Sequence, residues 1–209
     1  MLSRTGRPLA QLLFGPIAKL FVKMGVSANV VTVVGTVLSS TAALTLIPTN
    51  HLVLAVIVVT ILVLFDNLDG QIARLTNSPT KWGAFLDSTM DRISDAAIFG
   101  AVAAWGYFHA IPEVAPWVMS GAAAAGLLGG IVPYARARAE GIGYSAAVGI
   151  AERADRLVFT AIAVLLVGLG LSQWILAVGM WILAVLAAVT VIQRIVHVYR
   201  QIKADDAST

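Results

Sequence analysis

Long apolar stretches without charged side chains dominate the chain. Residues 24–65 contain no Asp, Glu, Lys or Arg, residues 96–134 contain only Glu113, and residues 157–193 again contain none. Each stretch is about twice the ~20 residues that an apolar helix needs to cross a bilayer. The pattern therefore predicts membrane helices in pairs, one helical hairpin for each stretch.

Turn-forming residues interrupt each stretch near its middle. They lie at residues 48–50, 111–116 and 168–173, and include Pro48, Pro112, Pro116 and two glycines of the third segment. Because Pro and Gly end helices and favour turns, these positions mark the tips of three hairpins. We predict an all-α integral membrane bundle of six transmembrane helices.

Composition agrees with a membrane protein of one domain. The 209 residues are 59% hydrophobic and 12% charged, with a mean hydropathy of +0.88, whereas soluble domains carry about 25% charged residues. Within a single domain over residues 1–209, we assign 1–24 to an N-terminal amphipathic juxtamembrane helix, 25–200 to the six-helix bundle and 201–209 to a polar tail. In the first segment, apolar residues recur at helical spacing opposite Lys19 and Lys23.

The basic residues predict the orientation of the bundle. All fourteen Lys and Arg lie outside the three predicted hairpin tips. Cationic segments stay on the cytoplasmic side of a membrane. Both termini are therefore expected in the cytoplasm, and a multi-pass protein of the cell membrane is the predicted location.

Four aspartates occupy the predicted junction of the second and third spans: Asp66, Asp69, Asp87 and Asp91. On helices, the first two lie one turn apart, and the last two follow Gly83 in steps of four residues, on one face. Ionised carboxylates next to hydrocarbon need a compensating charge. A short connection forces the two helices to pack closely, so two acidic faces are expected to meet.

Divalent cations are the compensation that the residue types favour. The chain has no cysteine, and oxygen-only ligands select hard cations such as Mg²⁺, with Mn²⁺ as the alternative. Four carboxylates suit two ions, an arrangement typical of phosphoryl displacement. The small residues Gly70, Ala73 and Gly83 would let a phosphate approach the helix backbone, and Arg74 offers paired donors to it.

Two other interpretations of the acids are possible from the residues alone. Intramembrane acids also form ion pairs with neighbouring arginines, as Asp95 could with Arg92, or line the path of a cation transporter. A transport path needs polar groups towards both membrane faces, whereas the outer halves of these spans are almost purely apolar. The three histidines, His51, His109 and His197, are scattered and are not expected to be catalytic.

The aspartate pattern resembles the signature of the CDP-alcohol phosphotransferases. The matching string is Asp66-x2-Asp69-Gly70-x2-Ala73-Arg74-x8-Gly83-x3-Asp87-x3-Asp91. The resemblance implies a homodimeric membrane enzyme that displaces CMP from a CDP-linked lipid with an alcohol, using two divalent metals. It further implies that Asp66, Asp69, Asp87 and Asp91 are metal ligands and that Asp91 is also the catalytic base.

The same resemblance suggests which residues contact the CDP group. Gly70, Arg74 and the loop residue Thr80 lie within the signature and are the first candidates. Residues 27–32 resemble an N-terminal family element with Ala28 in the place of its usual proline, and its contacts would be Asn29, Val30, Val31 and Thr32. A helix N-cap at Ser27 would explain that element without a ligand.

A basic cluster bears on the acceptor alcohol. Arg136, Arg153 and Arg194, with Arg138 as a fourth candidate, lie at the predicted cytoplasmic ends of spans four to six. Arginine binds phosphate through paired hydrogen bonds, although such charges also simply mark the inner membrane face.

The sequence around these arginines also resembles one subgroup of the family. Residues 134–141 and 148–153 are similar to the actinobacterial phosphatidylinositol phosphate synthases, which implies CDP-diacylglycerol and inositol 1-phosphate as substrates. The alternative, phosphatidylglycerol phosphate synthase, takes glycerol 3-phosphate and needs an anion pocket too.

Overall fold

The computed structural model describes residues 7–66, 68–76, 80–150 and 152–207, without the side chains of residues 7–14 and Asp66. These residues form α-helices joined by short segments and include no β-strand. The helices are α1 (Arg7–Lys23), α2 (Ala28–Leu46), α3 (Leu52–Asp66), α4 (Leu68–Leu75), α5 (Lys81–His109), α6 (Ala115–Glu140), α7 (Arg153–Gly168) and α8 (Trp174–Asp206). The chain divides into two compact units, residues 1–101 and 102–209.

The predicted hairpin tips are confirmed as breaks between helices. The structure separates α2 from α3 at residues 47–51, α5 from α6 at residues 110–114, and α7 from α8 at residues 169–173. Asn50 and Gly170 adopt positive φ angles of 63° and 90° in two of these turns, the backbone conformation that Asn and Gly tolerate best. The turn-forming residues therefore lie between helices, as their residue types predicted.

Four helical stretches in the described residues are long and apolar enough to cross a membrane: Ala28–Leu46, Leu52–Leu75, Ala115–Glu140 and Trp174–Asp206. The described part of the chain is thus all-helical, with four stretches that suit a membrane. Two predicted spans do not meet these criteria. Helix α5 has 29 residues but carries the polar residues of the acidic face, and α7 has only 16 residues.

Helix α1 has a protein partner within the first unit. Its buried Ala18 forms a core cluster with Leu68 and Ile72 of α4, against which Ile17 and Phe21 also pack. A helix is therefore present in the N-terminal segment, but part of its apolar face covers α4 instead of facing lipid. Leu20 of the same helix is exposed.

The second unit is held together by a regular stripe along α8. Its buried residues recur at steps of three and four, and they include Leu176, Met180, Leu183, Ala187 and Thr190. This spacing places one residue per turn on the same side of the helix, where α8 packs against α6 and α7. Small residues let α6 come close: a Cβ on Gly121 would lie 3.0 Å from Met180 Cβ.

The stripe continues past the apolar contacts to the segment between α6 and α7. Gly149 lies against Thr190, and a Cβ at position 149 would overlap Thr190 Cγ2. Its φ of +138° is also one that side chains rarely adopt. Both space and backbone conformation therefore require glycine at this position.

We expect Gly149→Ala to lower the free energy of unfolding by about 1–3 kcal/mol, because the new methyl group must displace Thr190 and strain the backbone. The matched control is Gly143→Ala, at a φ of +89° with no atom within 4 Å of the added Cβ. Thermal unfolding in detergent should show the smaller loss for the control. An equal loss of stability in Gly149→Ala and Gly143→Ala would contradict the close contact between Gly149 and Thr190.

Candidate active site

The four predicted metal ligands lie on three helices of the first unit. Asp66 ends α3, Asp69 lies in the first turn of α4, and Asp87 and Asp91 lie on the continuous helix α5. The predicted stacking of Gly83, Asp87 and Asp91 on one helix is confirmed. The side chain of Asp66 and the residue that follows it lie outside the described part, so their arrangement remains a prediction.

Asp69 is fixed by hydrogen bonds from neighbouring groups. Thr32 Oγ1 of α2 donates to Asp69 Oδ2 at 2.5 Å, and the backbone N–H of Gly70 donates to the other carboxylate oxygen. Asp87 and Arg74 also lie within electrostatic range of this carboxylate. The N-terminal element and the aspartate signature, 37 residues apart in the chain, thus meet at one side chain.

A second contact joins the same two sequence elements at Gly83. A Cβ on Gly83 would lie 3.2 Å from Thr80 Oγ1 and 3.3 Å from Asn29 Oδ1. Thr80 also accepts a hydrogen bond from the Gly83 N–H at 2.9 Å, which caps the start of α5. Three residues predicted from the family resemblance or from the small-residue argument are therefore brought together.

The remaining predicted CDP contacts differ in their surroundings. Val31 packs on the cluster around Leu68, whereas Val30 is half exposed. Gly70 is exposed, and a Cβ added to it would have Arg74 Nη2 as its nearest neighbour, at 3.9 Å. The surface at Gly70 is therefore open to a ligand beside a guanidinium group.

The proposed base Asp91 belongs to a charged group on α5. Arg92 Nη2 lies 3.7 Å from Asp91 Oδ2 and 3.5 Å from Asp95 Oδ2. Asp95 is buried, with 5% of its surface exposed. The pairing predicted for Arg92 and Asp95 is confirmed, and the same arginine also reaches Asp91.

The donor set fits a hard divalent cation. All four candidate ligands are carboxylates, Asp87 lies within electrostatic range of Asp69, and Asp91 follows Asp87 by one turn of the same helix. Among the described side chains, which exclude that of Asp66, no group of three acids or histidines is close enough to form a complete metal cage. The two-ion arrangement itself therefore stays a prediction.

In the second unit, Arg194 of α8 is held by backbone carbonyl groups. Its Nε donates to Val148 O at 2.9 Å, and its Nη1 donates to Val132 O of α6. Two of the five N–H donors of this guanidinium are thus used to join three segments of the chain. The sequence pattern does not indicate this structural role of Arg194.

The other candidate arginines are placed as follows. Arg136 Nε pairs with Glu140 Oε1 at 2.8 Å on the surface of α6. Arg153 begins α7 and is half-buried, and Arg138 is exposed. Arg136 lies within electrostatic range of Arg194, as does its own partner Glu140.

Arg156 is a buried arginine that was not among the site residues predicted from the sequence. It is 2% exposed, its Nε would lie 3.1 Å from a Cβ on Gly129, and it also lies within electrostatic range of Arg194. The signal was available: Arg156 begins the buried stripe of α7, which continues through Thr160, Ala163 and Val167. Periodicity could therefore have placed this charge inside the bundle.

Comparison with known proteins gives a consistent result. Residues 25–192 match the family model described as CDP-alcohol phosphatidyltransferase. The phosphatidylinositol phosphate synthase of Corynebacterium glutamicum is 37% identical over 197 residues, which cover 94% of this chain and 88% of that protein. The enzyme of the same name from Streptomyces avermitilis is 37% identical over 219 residues, covering 100% and 87%.

Solved structures show the same similarity. A crystal structure of Mycobacterium tuberculosis phosphatidylinositol phosphate synthase with CDP-DAG bound superposes with a TM-score of 0.82 and 36% identity, covering 88% of this chain and 92% of that one. A structure of the same protein with manganese and citrate also gives a TM-score of 0.82, with 36% identity and 88% of each chain covered.

We expect Thr32→Val to weaken Mn²⁺ binding about 10- to 100-fold, because Asp69 loses the hydroxyl that orients it. Binding can be measured by electron paramagnetic resonance titration of the purified protein. Thr36→Val is the matched control, since Thr36 is buried one turn later on α2. Equal Mn²⁺ affinity of Thr32→Val and wild type would argue against the role of the hydroxyl.

Proposed function

Because the chain belongs to the CDP-alcohol phosphatidyltransferase family and is therefore a transferase, we propose which reaction it catalyses. It transfers the phosphatidyl group of CDP-diacylglycerol to inositol 1-phosphate, giving phosphatidylinositol phosphate and CMP. The observation that carries this proposal is the 37% identity, over 94% of the chain, to a phosphatidylinositol phosphate synthase.

The aspartates bind the divalent ions in this proposal. Asp66, Asp69, Asp87 and Asp91 would hold Mg²⁺ or Mn²⁺, which supplies charge neutralisation at the pyrophosphate when bound. The M. tuberculosis relative was crystallised with manganese. The hydrogen bonds from Thr32 and from the Gly70 N–H to Asp69 keep that carboxylate oriented as an acceptor.

Asp91 acts as the general base. The acceptor hydroxyl oxygen forms a bond to the lipid-side phosphorus, the bond from that phosphorus to the bridging oxygen breaks, and CMP leaves. Asp91 takes the hydroxyl proton as the new bond forms. Arg92 Nη2 lies 3.7 Å from Asp91 Oδ2 and 3.5 Å from Asp95 Oδ2, and so places a positive charge beside the proposed base.

The CDP group lies on the surface around Gly70 and Gly83. The supporting observations are the exposure of Gly70 beside Arg74 and the approach of Asn29 and Thr80 to Gly83. Glycine at position 70 leaves the helix backbone open to a phosphate or ribose, and glycine at position 83 makes room for the side chains of Asn29 and Thr80. Val30 and Val31 are the remaining proposed contacts; Val30 is half exposed, whereas Val31 packs on the cluster around Leu68.

The arginines bind the acceptor phosphate. Arg136, Arg153 and Arg194 are the proposed residues, with Arg138 as the fourth, because arginine binds phosphate through paired hydrogen bonds. Arg136 and Arg156 lie within electrostatic range of Arg194, as do Glu140 and Glu152. A phosphatidylglycerol phosphate synthase would need the same charges. The similarity to two phosphatidylinositol phosphate synthases favours inositol 1-phosphate over glycerol 3-phosphate.

The enzyme would work in the cell membrane with its active site at the cytoplasmic face. The segregation of all Lys and Arg away from the hairpin tips supports this orientation. With α5 and α7 added to the four apolar stretches, six spans result. A homodimer is expected from the family.

A substrate panel tests the reaction. Purified protein with Mg²⁺ and CDP-diacylglycerol should release CMP with inositol 1-phosphate, at a kcat/KM at least about tenfold above that with glycerol 3-phosphate, because each acceptor needs its own hydrogen-bond partners. CMP release can be followed by chromatography. Turnover with glycerol 3-phosphate alone would assign the alternative reaction, and Mg²⁺ uptake into vesicles without CMP release would indicate a transporter.

Asp91→Asn should reduce CMP release by at least about a thousandfold, because the amide can neither accept the hydroxyl proton nor bind a cation as a carboxylate does. The matched control is Glu113→Gln, at an exposed position in the turn between α5 and α6. It should keep wild-type turnover of CDP-diacylglycerol. Residual activity of Asp91→Asn within tenfold of wild type would remove Asp91 as the base.

A further inference from the structure

We propose that Gln201 is a positioning residue for the acceptor site: it clamps residues 144–149 onto α8 and so fixes Arg153 and Arg194. This inference rests on the proposed function, since it concerns the arginines assigned to the acceptor phosphate. Gln201 itself touches neither substrate in this proposal. Its effect is transmitted through the segment between α6 and α7.

The clamp is a pair of hydrogen bonds to one backbone unit. The Ser145 N–H donates to Gln201 Oε1 at 3.1 Å, and Gln201 Nε2 donates to Ser145 O at 2.6 Å. Gln201 Nε2 also lies 3.3 Å from the carbonyl oxygen of His197, one turn earlier on α8. A primary amide is the side-chain group that both donates and accepts at this spacing.

The clamp belongs to a series of contacts along one face of α8. Residues 144–149 run antiparallel to the helix, and each successive contact lies four or seven residues further along α8, on the same side. The pairs are Gly149 with Thr190, Val148 with Arg194, Ser145 with Gln201, and Tyr144 with Asp205.

The last pair closes the series near the end of α8. The hydrogen bond that the Tyr144 phenol donates to the Asp205 carboxylate raises the pKa of the phenol. The segment is thus held at both ends and in the middle. Within the segment, the small side chain of Ala146 is fully buried, whereas Ser145 is exposed, so apolar packing of the segment is limited.

This geometry links Gln201 to the acceptor arginines by two routes. Val148 supplies the carbonyl oxygen that orients Arg194 Nε, and Arg153 begins α7 four residues after Gly149. If Ser145 loses its hydrogen bonds to Gln201, both the Val148 carbonyl group and the start of α7 become less firmly positioned. Because phosphate binding by arginine depends on hydrogen-bond direction, loosening should weaken acceptor binding first.

The test is steady-state kinetics of Gln201→Ala in the full-length enzyme, with CMP release as the readout. We expect the KM for inositol 1-phosphate to rise about five- to tenfold, in line with the loss of two neutral hydrogen bonds. The KM for CDP-diacylglycerol and the thermal midpoint in detergent should stay near wild type. Ala146 and Gly149 keep their contacts in this variant.

Two matched variants separate this role from a general effect on α8. Gln193→Ala removes an exposed glutamine from another face of the same helix and should behave as wild type. Ser145→Ala should also be silent, because the clamp uses the backbone of residue 145 and not its hydroxyl. Gln201→Glu keeps the acceptor oxygen but loses the donor, and should give an intermediate KM.

The outcomes distinguish this inference from the proposed function. An acceptor KM of Gln201→Ala within twofold of wild type would overturn the clamp, as would equal losses for both substrates together with a lower thermal midpoint. If wild type uses only glycerol 3-phosphate, the proposed acceptor is wrong, and the clamp is then judged by the KM for that acceptor. An increase confined to the phosphorylated acceptor supports it in either case.

Discussion

Polar groups beside hydrocarbon are stabilised by partners within the protein, and one site residue in each unit illustrates this. An unsatisfied polar group in such a place costs several kcal/mol. Asp69 is satisfied by Thr32 and the Gly70 N–H, and Arg194 by two carbonyl groups from other segments. The contacts that satisfy these charges are also the contacts that place candidate site residues, so membrane stability and site geometry have the same origin.

The sequence predicted what depends on local spacing. Charge-free stretches and turn residues indicated the helix breaks, and steps of four residues placed Gly83, Asp87 and Asp91 on one face of α5. The packing of α1 on Leu68 and Ile72 was not predictable in this way. An amphipathic pattern shows which face is apolar, but lipid and a neighbouring helix satisfy that face equally well.

Long-range hydrogen bonds could likewise not be predicted from the sequence. The family resemblance named both Thr32 and Asp69 without indicating that they touch, and an arginine count could not distinguish Arg194, which binds backbone carbonyls, from Arg138, which is exposed. Arg156 shows the opposite case. Its place at the head of a buried helical stripe was readable from periodicity, and attention to charge alone obscured it.

The stripe along α8 has a mechanical consequence. One face of this helix packs against α6 up to Thr190 and then carries the hydrogen bonds of Arg194 to Val132 and Val148. The helix can neither rotate about its axis nor slide along it without breaking both the packing against α6 and the hydrogen bonds of Arg194. Any displacement of α8 during turnover therefore moves Val132, Val148 and the guanidinium together, as a rigid body.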